Sequence, residues 1–551
     1  MTKYTIGIDF GTLSGRAVLV DIQNGDVVAS SVYAYRHGAM TETLPNTHVT
    51  LPHDYALQDP QDYLNVLTHT VPEVVKTSGV AVEDIIGLAI DFTACTVVPV
   101  DAQNQPLAFN PKFKENPHAW IKLWKHHAAQ KYADELNALA HAENTSWIHR
   151  YGGKISSEWV FPKILQVLRE DEALYDQIDN FLEATDWVTS VMTGHVIRNT
   201  CTLGYKAIYH HEEGFPSKAF FKKLDPRMEH VIEEKIKGTF KDVGDVAGHL
   251  TDEWAEKLGL SPSTVVAVGN VDAHVSPPAA GLDQAGQMLM IMGTSTCDIL
   301  LGRDEQAVPG MCGVVKNGSI PGFYAYESGQ SAVGDIFAWF TENYVTQEIV
   351  EAAEKAGISV HTYLEREAAK LRVGESGLLA LDWFGGNRSI LVDADVQGLI
   401  LGMHLNTKPH EIYRALIEST AFGKRVIIDN FIEHNVPVNE IYVSGGLPNK
   451  NELLLQIYAD VLNAEIKMAD SEHTSALGAA LFASVAAKDL GGHPNIATAT
   501  KKMAKVKSHT IKPIPENVQR YAQLYQEFKI LHDYFGTGTN DVMKRLKHWK
   551  G

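Results

Sequence analysis

Runs of apolar and β-branched residues, broken by small-residue turns, predict strands at regular places along the chain. Tyr4 to Asp21 is the clearest case. An apolar run ends near Asp9, a turn of Gly11, Thr12, Ser14 and Gly15 follows, and a second apolar run begins at Arg16. This pattern predicts a β-hairpin, and a third strand is expected around Val27 to Tyr35. The pattern returns near the midpoint, where Met288 to Gly302 reads as apolar strand, a turn opening Gly293-Thr294-Ser295, and apolar strand. Two such hairpins, each opening one half, suggest an internal duplication.

Between the hairpins, strand and helix patterns alternate. Asp59-Pro60 starts a helix to about Lys76, with proline in its first turn. Ile85 to Asp101 reads as strand, a polar turn from Asp91 to Thr96, and strand. His118 to Asn137 and most of 155–199 read as helical, with Gly194 as a C-cap. Thr202 to Lys206 reads as a turn, where a lysine is ordinarily solvated. Val265 to His274 reads as a buried strand that ends in glycine and a turn, with Asp272 just past it.

In the second half, Phe323 to Ser331 runs from strand towards helix, with Glu327 at the junction. A long helix is expected from about Pro409 to His434, and Ile441 to Asn451 is a strand entering a Gly445-Gly446 turn that includes Asn449. Thr474 to Lys488 is a helix of small residues suited to close packing, and Glu516 to about Phe535 is amphipathic.

At 551 residues the chain exceeds what one hydrophobic core serves, so two large domains are expected, 1–282 and 283–551. A formal net charge of -19 argues against a nucleic-acid partner, which needs basic surface. It does not argue against a nucleotide, which a few local donors can hold. The four cysteines form no CxxC pair and read as free thiols in a reducing compartment. No basic-apolar leader opens the sequence and no apolar run is long enough to cross a bilayer, so a cytoplasmic protein without a membrane partner is expected.

The candidate chemistry lies in the turns. Successive backbone N–H groups around Gly11, Thr12 and Ser14 can face an anion, and Arg16 adds a permanent charge. Asp9, at the strand end, is placed to hold Mg²⁺ through water. Taken alone, the same residues also describe an ordinary glycine turn with an acidic cap. Gly293-Thr294-Ser295 offers a second such turn, and the two can grip a polyphosphate. Gly445-Gly446 lets backbone lie flat against a planar group such as adenine, or it answers a need for positive φ. Asp272 is placed to accept a proton in the cleft, or it caps the following helix. The adjacent pairs His126-His127 and His210-His211 point to different faces and make no metal site. No Walker A sequence, HExxH or GxSxG occurs.

Together, Gly7-Ile8-Asp9-Phe10-Gly11-Thr12, Gly293-Thr294-Ser295 and Gly445-Gly446 resemble the ATP-binding elements of the sugar kinase, Hsp70 and actin superfamily. Gly445-Gly446 followed by Gln456 and Ala459-Asp460 is similar to a signature of the FGGY carbohydrate kinases, and Phe161-Pro162-Lys163 resembles another, with Gln166 in the neighbourhood where that signature has tryptophan. Ser157-Glu158-Trp159, Leu203-Gly204-Tyr205-Lys206, Gly269 to His274, Tyr326-Glu327-Ser328-Gly329 and His532 to Gly536 are similar to the bacterial branch of that family acting on L-ribulose, as is the length. The Asp91 to Thr96 turn departs from it, with Ala94 and Cys95 at Gly/Ser-rich positions.

The resemblance implies an α/β fold of two ribonuclease-H-like, actin/hexokinase-type domains flanking a cleft. It implies an ATP- and Mg²⁺-dependent transfer to the C5 hydroxyl of a ketopentose. It makes Asp272 the general base and puts Ala94, Lys206 and Glu327 near the sugar. D-ribulose, xylulose or ribitol remain as other acceptors, a non-catalytic chaperone-like member of the superfamily remains as another class, and homo-oligomerisation is left open.

Overall fold

The computed structural model describes residues 2–549 and arranges them around two mixed sheets of the same wiring. In the first, Tyr4–Phe10 pairs antiparallel with Ser14–Asp21, which pairs antiparallel with Val27–Ala34. On its other side Tyr4–Phe10 runs parallel to Ile85–Phe92, which is parallel to Val265–Ala267. The second sheet repeats this. Gln287–Met292 is antiparallel to Thr296–Gly302, which is antiparallel to Tyr324–Gln330. Gln287–Met292 is also parallel to Glu440–Ser444, which is parallel to Ile466–Met468. The duplication expected from the two hairpins is therefore present in strand order and direction.

Helices cover both faces of the first sheet. Pro60–Ser78 lies on one face, capped by the Asp59 side chain on Gln61 N–H and ended by Gly79 at φ 65°. Thr474–Ala486 lies on the other, although it comes from the far end of the chain. Its small residues allow an unusually close approach. A Cβ on Gly7 would sit 1.8 Å from the Ala476 carbonyl oxygen, and Thr5 Oγ1 donates to the Ala480 carbonyl at 2.8 Å. With helix Asp272–Ala279 it forms a layer whose core is shared by residues of both sheets, Val18 and Ala89 from one and Leu289 and Ile299 from the other. Helix Pro409–Glu433 centres the core of the second half.

A smaller four-stranded sheet is built on the first half from Leu57–Gln58, Ile121–Lys122, Val97–Val100 and Asn180–Glu183. With helix Val160–Glu170 it has its own core. Two expectations fail here. His118 to Asn137 is not one helix. Pro117–Ala119 is a short turn capped by Asn116, Ile121–Lys122 pairs as a strand with Leu57–Gln58, and the helix is Gln130–Ala142. The 155–199 stretch is mainly helical as expected, with Gly194 as a C-cap, and also contains the strand Asn180–Glu183, placed by its pairing with Val97–Val100. Thr202 to Lys206 is no turn but the end of helix Thr200–Lys206, started by the Asn199 side chain on Thr202 N–H. Tertiary pairing and a cap outweigh local pattern in each case.

Among the described residues no helix is long and apolar enough to cross a membrane.

Candidate functional site

Three carboxylates meet at the carboxyl ends of the central strands of the first sheet. Asp9 stands opposite Asp91 in the parallel register, and Asn270 stands opposite Asp91 on its other side. The chain then turns into helix Asp272–Ala279, with Asp272 as its first residue. Asp272 Oδ1 accepts from Ala273 N–H at 2.7 Å, and the helix N-terminus favours a negative charge there. Asp91 is fully buried, and neither of its oxygens has a hydrogen-bond partner. Burial, with the charges of Asp9 and Asp272, pushes it well above the usual carboxylate range. Burial also raises Asp9, against the pull of Arg16, which pairs with it across the hairpin. Asp272 is pushed up to about 7 by burial and then by the charge of Asp9. That is the range in which a carboxylate works as a base at neutral pH. The sequence pattern singled out Asp9 and Asp272. Asp91 it placed only in a polar turn, because its meaning depends on strand register.

The two hairpin turns share a design. Gly11 N–H donates to the Ser14 carbonyl at 3.0 Å, and Gly293 N–H to the Ser295 carbonyl at 2.9 Å. Their other carbonyls are taken from outside. Tyr35 Oη donates to Gly11 O at 2.9 Å and Gln58 Nε2 to Thr12 O at 2.8 Å, while Val333 N–H donates to Thr294 O at 2.8 Å and Gly334 N–H to Gly293 O at 3.1 Å. The N–H groups of Thr12, Leu13, Thr294 and Ser295 have no partner among the described residues. Amides presented on one side with carbonyls tied on the other are free to face an anion. The Thr12 hydroxyl accepts from Trp124 Nε1 at 3.1 Å, so that side chain is already engaged. Arg16 Nε is buried without a partner.

Glycine is used in two distinct ways here. Gly445 has φ 99°, and a Cβ on it would meet the Met292 carbonyl at 2.3 Å, so the fold requires it. Gly446 is exposed, and a Cβ there would meet nothing within 4 Å. At Gly11 and Gly293 the nearest atoms would be 3.4 and 3.9 Å away. Packing does not require glycine at these three positions, and the absence of a side chain leaves the backbone there open to close approach. Asn449 is exposed, donates to the Gly445 carbonyl at 3.2 Å and accepts from Lys507 Nζ at 2.7 Å. Leu447 N–H bonds the Met292 carbonyl at 3.3 Å, which joins this turn to the second hairpin.

Lys206 and Glu327 form a buried pair. Lys206, expected on local grounds to be solvated, is 5% exposed and donates to Glu327 Oε2 at 3.0 Å. Glu327 is not at a strand–helix junction but in the middle of strand Tyr324–Gln330. Arg388 donates to its other oxygen at 2.6 Å. Burial opposes the Glu327 charge, but Lys206, His274 and Arg388 hold its carboxyl well below the usual range. Burial lowers His274; its ring packs at a tilt of 46° against Tyr205, with centroids 4.2 Å apart. His274, two residues beyond Asp272 in the same helix, lies 3.3 Å from Glu327 Oε2, so this pair borders the carboxylate cluster.

Ala94 is half-buried in a turn whose next residue, Cys95, has φ 58°. Lys163 Nζ fastens that turn through the carbonyls of Cys95 at 2.5 Å and Leu123 at 2.9 Å, and Glu183 through Thr96 N–H at 3.1 Å. Arg388 carried no sequence signal beyond its loop. Lys163 was visible only as part of a motif.

His126 and His211 are not ligands. They pair with Gln166 at 2.9 Å and Asp242 at 2.8 Å, and no group of three His, Cys, Asp or Glu side chains among the described residues is arranged to hold a metal by itself.

Two hairpin turns with unpartnered amides, a buried carboxylate cluster and a buried Lys206–Glu327 ion pair linking the duplicated halves describe a two-lobed α/β protein with the parts a phosphotransferase needs. Comparison with known proteins narrows this. The N-terminal domain profile of the FGGY family of carbohydrate kinases matches residues 4–277 and the C-terminal domain profile matches 288–487. The chain belongs to that family of kinases. It is 57% identical over 550 residues to a ribulokinase of Halalkalibacterium halodurans, covering 100% of this chain and 98% of that one. It is 58% identical over 549 residues to a ribulokinase of Geobacillus thermodenitrificans, covering 100% and 97%. Among solved structures, a ligand-bound xylulose kinase from Lactobacillus acidophilus superposes with a TM-score of 0.80 at 16% identity, covering 97% of this chain and 99% of that one. That likeness shows the fold: two α/β domains around a cleft.

Proposed function

We propose that this kinase transfers the terminal phosphoryl group of ATP to the C5 hydroxyl of L-ribulose, giving L-ribulose 5-phosphate and ADP, as a step in L-arabinose breakdown. The observation that carries the reading is the match, over the whole chain, to two ribulokinases at 57% and 58% identity. The site supports it. Asp272, at about 7, accepts the proton from the attacking hydroxyl. The free amides of the Gly11–Ser14 and Gly293–Ser295 turns, with Arg16, hold the triphosphate, and the open ground at Gly446, beside Asn449, takes the adenosine. Ala94, Lys206 and Glu327 border the sugar. Phosphoryl transfer asks the protein chiefly for positioning and charge neutralisation, and these groups supply both.

Mg²⁺ fits the first-sheet carboxylates. Asp91 presents two buried oxygens without partners next to Asp9, and the mutual repulsion of the cluster is what a cation would relieve. Asp9 and Asp91 would hold it, largely through water. When bound it neutralises charge on the phosphate oxygens. We divide the chain at 282/283, between the two matched regions, and place the enzyme in the cytoplasm, where ATP is available.

The test is ADP release by the purified protein with L-ribulose, D-ribulose, xylulose and ribitol, and with no acceptor. L-ribulose should give the highest kcat/KM. Acceptor-independent ATP hydrolysis at the same rate would overturn the reading and favour a chaperone-like ATPase.

A further inference from the structure

The Glu327 carboxylate is more fully used than a sugar contact would be. Each oxygen already carries a charged donor, Arg388 on Oε1 at 2.6 Å and Lys206 on Oε2 at 3.0 Å, and His274 Nε2 lies 3.3 Å from Oε2. A carboxylate so engaged keeps about one acceptor site free, so most of its charge is spent on holding these donors. Its cations are different. The Glu327 side chain is 3% exposed but that of Arg388 is 38% exposed, so the guanidinium reaches from the buried anion to open space with N–H donors to spare.

Arg388 is carried on the loop between strands Leu379–Leu381 and Leu399–Leu401, and that loop is fastened on two sides. Asn387 and Asp393 exchange backbone hydrogen bonds at 2.8 and 2.9 Å, and Leu391 N–H donates to Asn387 Oδ1 at 2.9 Å. On the inner side, Gly329 N–H donates to Ser389 Oγ at 3.3 Å, which ties the loop to the strand of Glu327. On the outer side stands helix Val542–His548. Its Lys544 lies 2.6 Å from Asp393, and its Lys547 bonds Asp395 at 2.9 Å and the Ala394 carbonyl at 2.6 Å. Contacts therefore run unbroken from the last helix, through five loop residues, to Arg388.

We propose that Arg388 is an acceptor-binding residue, that Glu327 aims Arg388 and Lys206 at the sugar's carbonyl and hydroxyl oxygens, and that the last helix holds the loop in place for this. The proposal rests on the ketopentose-kinase reading for the identity of the acceptor.

Two measurements separate the inference from that reading. L-ribulose binding is followed without turnover by fluorescence, since Trp159 lies 5.5 Å from Lys206 Nζ and reports on the pocket. Steady-state kinetics then gives KM for sugar and for ATP separately. Arg388→Gln should weaken sugar binding and raise the sugar KM about ten- to a hundredfold, the worth of a lost charged hydrogen bond, with the ATP KM within about twofold. Arg388→Lys should restore part of it. The double variant Lys544→Gln/Lys547→Gln, which leaves the pocket intact, should raise the sugar KM about two- to fivefold.

Wild-type protein that binds L-ribulose but does not phosphorylate it would sink the reaction and leave the Arg388 comparison standing. Arg388→Gln with unchanged sugar binding, or with sugar and ATP KM rising together, would overturn the inference. Wild-type protein that does not bind L-ribulose would overturn both.

Discussion

Replacing Asp272 by Asn separates two properties that one carboxylate controls. The amide keeps the shape of the side chain, and its oxygen can still take the Ala273 N–H bond, now 2.7 Å. The proton acceptor is gone, so kcat should fall by about two to four orders of magnitude while ATP binding persists. Stability should move the other way. Burial and the charge of Asp9 raise Asp272 from 3.8 to about 7. A carboxyl raised in the folded state binds its proton more tightly there than in the unfolded chain. Its contribution to stability is therefore complete below the unfolded value and is lost as pH climbs through the folded one. The interval corresponds to at most about 4 kcal/mol. Because Asp272 is half-buried and not sealed from solvent, we expect about 1 to 2 kcal/mol after screening. Asparagine has no charge to lose. In urea unfolding at pH 8.5 the variant should be the more stable protein, and at pH 5.5 the difference should shrink. A variant that retains a tenth of wild-type kcat, or whose advantage grows as pH falls, would refute the reasoning.

Other perturbations test the rest of the site. Gly446→Ala should fold as the wild type does and raise the ATP KM, whereas Gly445→Ala should destabilise the protein outright, because only the second meets backbone, at 2.3 Å, and a positive φ; melting curves beside ATP titrations distinguish them. Gly7→Ala should cost about 1 to 3 kcal/mol or more by forcing the first sheet away from helix Thr474–Ala486, read as a lowered urea midpoint. The pH profile of kcat/KM should fall on the acid side near pH 7, where Asp272 protonates; a profile flat down to pH 5 would remove it as the base.

What the sequence discloses follows from the range of the interactions. The hairpins, the long helix and the small-residue helix are written in local periodicity, so Tyr4 to Asp21, Met288 to Gly302 and Pro409 to His434 read correctly. Asp272 is legible because a lone acid follows a strand of apolar residues. Asp91 is not, since nothing near it announces that Asp9 and Asn270 flank it in register. Lys206 misleads for a similar reason. Its partner is 121 residues away, and local context alone makes it a surface lysine. Arg388 depends on a loop that is ion-paired to the last helix, and the His118 to Asn137 region on a strand partner at Leu57–Gln58. Family motifs recover the first two kinds of contact only where the motif itself contains the residue, as it does Lys206 and does not Arg388.

The close seat of Thr474–Ala486 against Gly7 bears on how this protein can be cut. The duplicated halves look like two modules, yet the sheet of the first is roofed by a helix made some 470 residues later. A polypeptide ending at 282 would leave that face bare, with a row of apolar strand residues facing water. Completion of the first half therefore waits for the end of synthesis, and fragments divided at the midpoint should regain solubility only when mixed.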